Sequence, residues 1–131
     1  MTTANSTKRN NATGECIATL NGDAAATKEV AVIFENNRLG ILADIRHDEK
    51  LYALTLNLKD TDGCQVITLG QDDEFRMTID NKPYRQDEEV ELFLQVSKAD
   101  NRYVGVMKKA WMAPYDDTEK KEVFFSFYIK R

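Results

Sequence analysis

The chain has 131 residues, of which 42% are apolar and 31% are charged, and its formal net charge is −4. Its length suits one domain, and the grouping of its apolar residues into short runs excludes an intrinsically disordered chain. No apolar run approaches the roughly 20 residues of a membrane helix, and residues 1–14 lack the apolar centre of a secretory signal, so we expect a cytoplasmic protein without membrane contact.

The pattern of apolar residues divides the chain into two parts. Residues 1–14 consist mainly of polar and basic side chains, which predicts a flexible polar tail. Over residues 15–131, apolar and polar side chains alternate with period two between turn residues, which is typical of a β domain. Only residues 21–29 and 111–121 could form a short helix.

The first predicted strands follow this alternation in chain order. Residues 28–35 carry apolar side chains on both faces of a strand, which favours a central position in the sheet. Residues 39–46 and 51–58 follow, joined by a hydrophilic hairpin loop. The sequence Asp-Thr-Asp-Gly at residues 60–63 predicts another hairpin, to a strand at residues 64–69, because glycine readily adopts the positive φ of such turns.

The second half of the domain continues the same alternation. Strands are predicted at residues 75–79, 90–96, 103–110 and 123–129. Pro83 ends the first of these segments, because proline cannot donate a hydrogen bond to a neighbouring strand. Because the links are too short for parallel crossovers, we predict an all-β, single-domain antiparallel sandwich or small barrel of about eight or nine strands, with largely hairpin connections.

Few residues have the chemistry of a catalytic or metal site. His47 is the only histidine, and we interpret it as a solvated loop residue because nothing nearby would fix the geometry that a catalytic base needs. Cys16 and Cys64 form no C-x-x-C motif, so we expect two buried thiols in a reducing compartment. These three residues do not form a zinc motif. The sequence therefore predicts no catalytic residue, no metal, no cofactor and no enzymatic activity.

Charge is distributed unevenly along the domain. Residues 15–97 carry a net charge of −9, whereas residues 98–131 carry +3 and most of the aromatic side chains. Basic side chains beside aromatic rings are typical of single-stranded nucleic-acid binding, because bases stack on rings while Lys and Arg neutralise phosphates. The candidate surface for a partner or nucleic acid comprises Lys108, Lys109, Trp111, Phe124, Tyr128 and Lys130. The candidate acidic surface comprises Asp87, Glu88, Glu89 and Glu91.

Three functions from different classes fit this pattern. We favour a non-catalytic binding or inhibitor protein that recognises a macromolecular partner, a protein, through its β scaffold, since such scaffolds commonly carry recognition on loops and edges. The two oppositely charged parts would suit an electrostatically steered partner. The first alternative is a single-stranded nucleic-acid-binding protein that uses the basic, aromatic C-terminal strands. The second alternative is a β-barrel that binds a small apolar ligand in a cavity.

Three aromatic residues mark a candidate apolar surface. Phe93, Phe124 and Tyr128 alternate to the strand face opposite the apolar rows. If that face is exposed, the rings would form an apolar patch of the kind that marks a protein interface or a homodimer contact. Their exposure in the folded chain is therefore the most informative single observation.

Overall fold

The computed structural model describes residues 12–115 and 119–131, and these residues form eleven β-strands. The strands are β1 (Thr13–Leu20), β2 (Asp23–Thr27), β3 (Val30–Glu35), β4 (Arg38–His47), β5 (Lys50–Lys59), β6 (Gly63–Leu69), β7 (Glu74–Ile79), β8 (Lys82–Gln86), β9 (Val90–Ser97), β10 (Arg102–Pro114) and β11 (Lys121–Lys130). Across the described ranges there is no helix with the length and apolarity that crossing a membrane requires.

The strands form one antiparallel sheet that branches at β10. The strand order is β2-β1-β11-β10-β8-β7-β5-β4-β3. Residues 102–107 of β10 pair with β9, and residues 112–114 pair with β8. β6 pairs with β9 and with no other strand of the described chain, and its seven residues include neither a charge nor a proline. The predicted all-β antiparallel fold is confirmed.

The two ends of the strand order meet because the sheet curls. β2 lies at one end of the order and β3 at the other, although only residues 28–29 separate them in the chain. The backbone N–H of Asp44 in β4 donates to the carbonyl of Glu29 at 3.1 Å. β2 lies beside β4 and β1 beside β3. The curled sheet therefore surrounds one core.

The inner face of the sheet is apolar. Leu54, Leu56 and Leu58 of β5 have no exposed surface, as the strict alternation along this strand predicts. The rings of Phe75 and Phe125 pack with their centres 5.7 Å apart and join β7 to β11 across the core. None of the described residues that are classed as polar or charged is buried.

A β-bulge changes which residues of β10 face the core. The register with β11 shifts between Met107 and Ala110. Odd-numbered residues of β10 are buried before this shift, and even-numbered residues are buried after it. Lys108 and Lys109 within the bulge both face solvent, and Trp111 turns outward. One additional residue thus brings Trp111 to the outer face of the sheet.

The predicted hairpin at residues 60–63 is wrong. β5 pairs with β4 and β7, whereas β6 pairs with β9. Lys98, between β9 and β10, fixes the link, since its Nζ is 2.7 Å from Asp60 Oδ1 and its backbone N–H donates to Asp62 Oδ1 at 3.0 Å. Gly63 does have a positive φ of 93°. The turn carries the chain to another part of the sheet instead of reversing it beside β5.

The strand predicted at residues 28–35 is present as Val30–Glu35, but its predicted central position is wrong. These residues give β3, which pairs only with β4 among the described strands. Ala31, on the second face of β3, is nevertheless 7% exposed. The curl of the sheet also places β1 beside β3. Apolar residues on both faces therefore occur in a strand that has only one paired neighbour among the described strands.

Some boundaries differ from those predicted. Residues 21–29 contain β2 instead of a helix. Pro83 does not end β7, which stops at Ile79 before the positive-φ turn of Asp80 and Asn81. Pro83 instead belongs to β8, a strand that the sequence pattern did not predict, and lies opposite Thr78 of β7. Thr13 and Gly14, placed in the predicted tail, belong to β1. Residues 1–11 of that tail lie outside the described residues.

Candidate interaction surface

A row of exposed apolar side chains crosses five neighbouring strands. Val66 of β6 lies opposite Phe93 of β9, and Phe93 lies opposite Val106 of β10. The row continues through Ser126 of β11 to Ile17 of β1. We call Val66, Phe93, Val106 and Ile17 the outer apolar row, and their side chains are 42–59% exposed.

Two aromatic rings of β11 widen the row. Phe124 and Tyr128 lie two residues to either side of Ser126, and side chains two apart on a strand share a face. Phe124 is 39% exposed and Tyr128 is 51% exposed. The rings of Phe93, Phe124 and Tyr128 are therefore on a solvent-facing surface.

The geometry of the sheet makes these side chains one patch instead of isolated groups. Directly opposite residues in an antiparallel pair have Cβ atoms about 4.5–5.5 Å apart, close enough for side-chain contact. The same strands turn their other residues into the core, for example Leu92 and Leu94 beside Phe93. The core fixes these strands from below, so the outer apolar row has a defined position.

The lysines predicted to surround the aromatic rings are paired with carboxylates. Lys108 Nζ lies 3.0 Å from Glu91 Oε1 and 5.7 Å from the centre of the Phe93 ring. Lys109 Nζ lies 3.5 Å from Glu122 Oε2. These pairs partly neutralise the positive charge that phosphate groups would require.

The other two residues of the candidate basic surface lie farther along β10 and β11. Trp111 is 40% exposed and lies opposite Glu122. Lys130 is exposed near the end of β11 and lies opposite Thr13 of β1. The structure therefore places all six predicted residues at the surface but spreads them over the length of two strands.

The predicted acidic residues occupy the link between β8 and β9 and the start of β9: Asp87, Glu88, Glu89 and Glu91. All four are exposed. Asp87 Oδ2 lies 2.7 Å from Lys120 Nζ, and Glu91 pairs with Lys108 as described above. The acidic and basic candidates thus form one surface of mixed charge instead of two separate surfaces.

Comparisons of the chain with known protein families, with curated proteins and with solved structures find no match. Its function therefore has to be inferred from the physical properties of the surface. The feature that distinguishes the outer apolar row is that its exposed side chains are apolar, whereas charged side chains flank it at the bulge of β10.

Three members of the outer apolar row were missed by the sequence analysis. Ile17, Val66 and Val106 each occupy a position that alternates with buried residues on its own strand. An apolar residue at a position that alternation assigns to the outer face is the sequence signal that could have identified them. Only the register between strands shows that the three belong to one row with Phe93, because β6 and β9 are distant in sequence from β1.

The two cysteines have different environments, and neither forms a disulfide. Cys16 is fully buried, and burial, together with the negative charge of Glu15, raises the pKa of its thiol to about 12. Cys64 is exposed on β6, two residues from Val66. The prediction of two buried thiols is therefore wrong for Cys64, because its strand turns this residue to the outer face.

A second surface feature is a polar groove beside β7, β8 and the end of β10. Its volume is about 770 Å³, and its lining includes Glu74, Arg76, Arg85 and Asp87. The guanidinium of Arg85 stacks on the ring of Tyr115 with its centre 4.9 Å away. A groove with this lining gives no support to the binding of an apolar ligand, because an apolar molecule would remove water from charged groups without offering them a hydrogen bond.

Proposed function

We propose that the protein is a non-catalytic binding protein that recognises a protein partner through the outer face of β6, β9, β10, β11 and β1. The observation that carries this proposal is the outer apolar row, which crosses these strands without interruption by a charged residue. Contiguous exposed apolar patches with polar surroundings are typical of protein–protein interfaces.

The charged groups beside the row support a protein partner. The pairs Glu91–Lys108 and Lys109–Glu122 lie next to the row at the bulge of β10. A shallow cleft of about 440 Å³ lies there, and it is lined by Thr68, Glu89, Val90, Glu91, Lys108 and Lys109. An apolar centre with a rim of both charge signs resembles the anatomy of specific interfaces, in which the rim sets orientation more than affinity.

The nucleic-acid alternative receives less support from the same contacts. Lys108 and Lys109 already have carboxylate partners. The aromatic residues of the face alternate with Val66, Val106 and Ile17, which cannot stack with bases. A protein surface matches this lining better than a polyphosphate chain does.

A comparison of variants in an affinity capture experiment tests the proposal. The immobilised wild-type chain, a double variant Phe93→Ser/Val106→Thr and the control Tyr115→Ser are each incubated with lysate of the native host. Tyr115 is also an exposed aromatic residue, but it lies at the end of β10 beside the polar groove. We expect a stoichiometric protein to be retained by the wild type and the control and lost by the double variant.

Two results would contradict the proposal. One is the absence of any stoichiometric protein, and the other is equal retention by the wild type and the double variant. Titration of single-stranded oligonucleotides at low salt, followed by the fluorescence of Trp111, distinguishes the alternative. Saturable quenching in this titration would favour nucleic acid over a protein partner.

A further inference from the structure

Three side chains with metal-ligand chemistry meet where the two ends of the curled sheet come together. Asp23 is the first residue of β2, His47 is the last residue of β4, and Asp48 follows in the turn to β5. One oxygen of each carboxylate and an imidazole nitrogen all lie within 4.8 Å of one another. The cluster lies on β2, on β4 and in the turn after β4, and none of these segments carries a residue of the outer apolar row.

The histidine of this cluster is not the solvated loop residue that the sequence predicted. Its side chain is 20% exposed, and its ring packs near that of Tyr52, with the centres 6.3 Å apart. Nε2 has essentially no exposed surface and no hydrogen-bond partner, the only such side-chain atom in the described residues. A buried polar atom without a partner is rare and costs stability unless another group satisfies it.

The distances around Nε2 do not correspond to hydrogen bonds. Nε2 lies 3.7 Å from Asp23 Oδ2 and 3.5 Å from Asp48 Oδ2, whereas N–H···O hydrogen bonds span about 2.7–3.2 Å. Zinc binds His nitrogen and Asp oxygen at about 2.0–2.2 Å in tetrahedral sites. Two ligand atoms at that radius are about 3.3–3.6 Å apart by tetrahedral geometry. The separation from Asp48 falls within this range and that from Asp23 lies just above it, so a small rotation of the exposed Asp23 carboxylate gives two edges of a coordination tetrahedron.

We propose that Asp23, His47 and Asp48 bind one divalent transition-metal ion of the zinc class. The ion would lie between Nε2 and the two carboxylate oxygens, with water in the remaining position. The nitrogen ligand selects zinc-class ions over Ca²⁺ and Mg²⁺, which prefer oxygen ligands throughout. Both carboxylates are well exposed, at 68% and 77%, so they can rotate to complete the geometry.

The bound ion would join two parts of the sheet. β2 forms one end of the strand order and β4 lies near the other, so a ligand from each strand connects the ends that the backbone pairs only weakly. A ligand that binds the folded state and not the unfolded chain raises stability in proportion to the logarithm of its concentration above its Kd. We therefore expect zinc to raise the Tm.

The single histidine makes the test unambiguous. The untagged, ¹⁵N-labelled chain is treated with chelator and dialysed. It is then titrated with ZnCl₂ while the imidazole signals are recorded by NMR. We expect a saturable shift of the Nε2 signal that is complete at one equivalent, and absorption bands of tetrahedral Co²⁺ when CoCl₂ replaces zinc. CaCl₂ and MgCl₂ serve as ions that should cause no such shift.

Variants of the two loops separate this site from general surface binding. Asp23→Asn should weaken zinc binding at least tenfold, whereas Glu49→Gln, next to Asp48 in the same turn, should leave it unchanged. The proposal is overturned if zinc in millimolar excess leaves the Nε2 signal in place, since the cluster is then an imidazole with two nearby carboxylates and no more. Equal zinc affinity of Asp23→Asn and wild type would also overturn it.

Discussion

Phe93 of β9 and Val106 of β10 lie directly opposite each other on neighbouring strands, and both side chains face solvent, with 44% and 42% of their surface exposed. Leu92 and Leu94, on either side of Phe93 in the chain, are almost completely buried. The two faces of β9 are thus both apolar, but only one of them is covered by the protein itself. Exposed apolar groups contribute little to the free energy of unfolding. Substitutions on the outer face should therefore destabilise the protein much less than substitutions in the core.

Substitution of two phenylalanines tests this separation. We expect Phe93→Ala to lower the free energy of unfolding by less than about 1 kcal/mol, the upper range for an exposed cross-strand contact. Phe125→Ala, which empties a fully buried site, should cost about 3–5 kcal/mol. Urea unfolding of both variants provides the measurement, and equal losses would show that Phe93 belongs to the core.

A glycine in β10 should be intolerant of even one methyl group. Gly105 lies opposite Phe127, and a Cβ atom at this position would collide with the Phe127 ring. Because neighbours in a packed core yield little, we expect Gly105→Ala to cost about 1–3 kcal/mol in the free energy of unfolding.

Gly40→Ala is the matched control for this prediction. A Cβ at Gly40 would meet Ile33 at 3.7 Å, an ordinary contact, so stability should change by less than about 1 kcal/mol. In the double variant Gly105→Ala/Phe127→Leu, the smaller side chain should recover part of the loss. Thermal unfolding that shows the same Tm for Gly105→Ala and Gly40→Ala would contradict the collision.

The two thiols should react at very different rates. Cys64 is exposed, whereas Cys16 is fully buried and its raised pKa keeps it protonated at neutral pH. The thiolate is the reactive form, so a chromogenic disulfide reagent should label one thiol per native chain at pH 8 and two in denaturant. Cys64→Ser should abolish the fast reaction, and rapid labelling of two thiols in the native chain would rule out this burial.

The buried thiol should also make stability fall at alkaline pH. The pKa of Cys16 rises from 9.0 to about 12 in the folded chain, so above pH 9 the unfolded state releases a proton that the folded state retains. The protonated Cys16 thiol therefore makes its full contribution to the free energy of unfolding below pH 9, and this contribution is lost as the pH rises towards 12. The slope approaches about 1.4 kcal/mol per pH unit for one group.

Cys16→Ala removes this contribution while leaving the tyrosines and lysines that titrate in the same range. Urea unfolding from pH 8 upward should therefore show a shallower decline for the variant, with a difference of about 2 kcal/mol accumulated by pH 10.5. Parallel declines of the wild type and Cys16→Ala would contradict the pKa shift.

Local patterns in the sequence were sufficient to predict the strands but not their pairing. Alternation identified eight strands within a few residues, because burial of every second side chain is a property of each strand alone. The pairing of β6 with β9 joins segments far apart in the chain, as do the contacts of Lys98 with Asp60 and Asp62, and local patterns carry no information about such pairs. Short weakly apolar strands such as β2 and β8 acquire their structure from their neighbours and gave little signal.

The candidate surface was predicted only as far as single strands allowed. The outward orientation of Phe93, Phe124 and Tyr128 follows from the alternation on their own strands. That Val66, Val106 and Ile17 belong to the same row can be seen only from the register across five strands. The outward orientation of Trp111 results from the bulge at Lys108 and Lys109, which alternation does not predict. The approach of Asp23 to His47 likewise depends on the curl of the whole sheet.

The uncharged outermost strand β6 bears on how the protein behaves in concentrated solution. Outermost strands are commonly blocked by lysine or proline, which prevents them from adding to another sheet, and β6 contains neither. We therefore expect the isolated protein to aggregate slowly during storage through edge-to-edge association, and to remain dispersed for longer when a partner covers this side. A lysine introduced at Thr68 would act as a gatekeeper and extend the shelf life of purified samples.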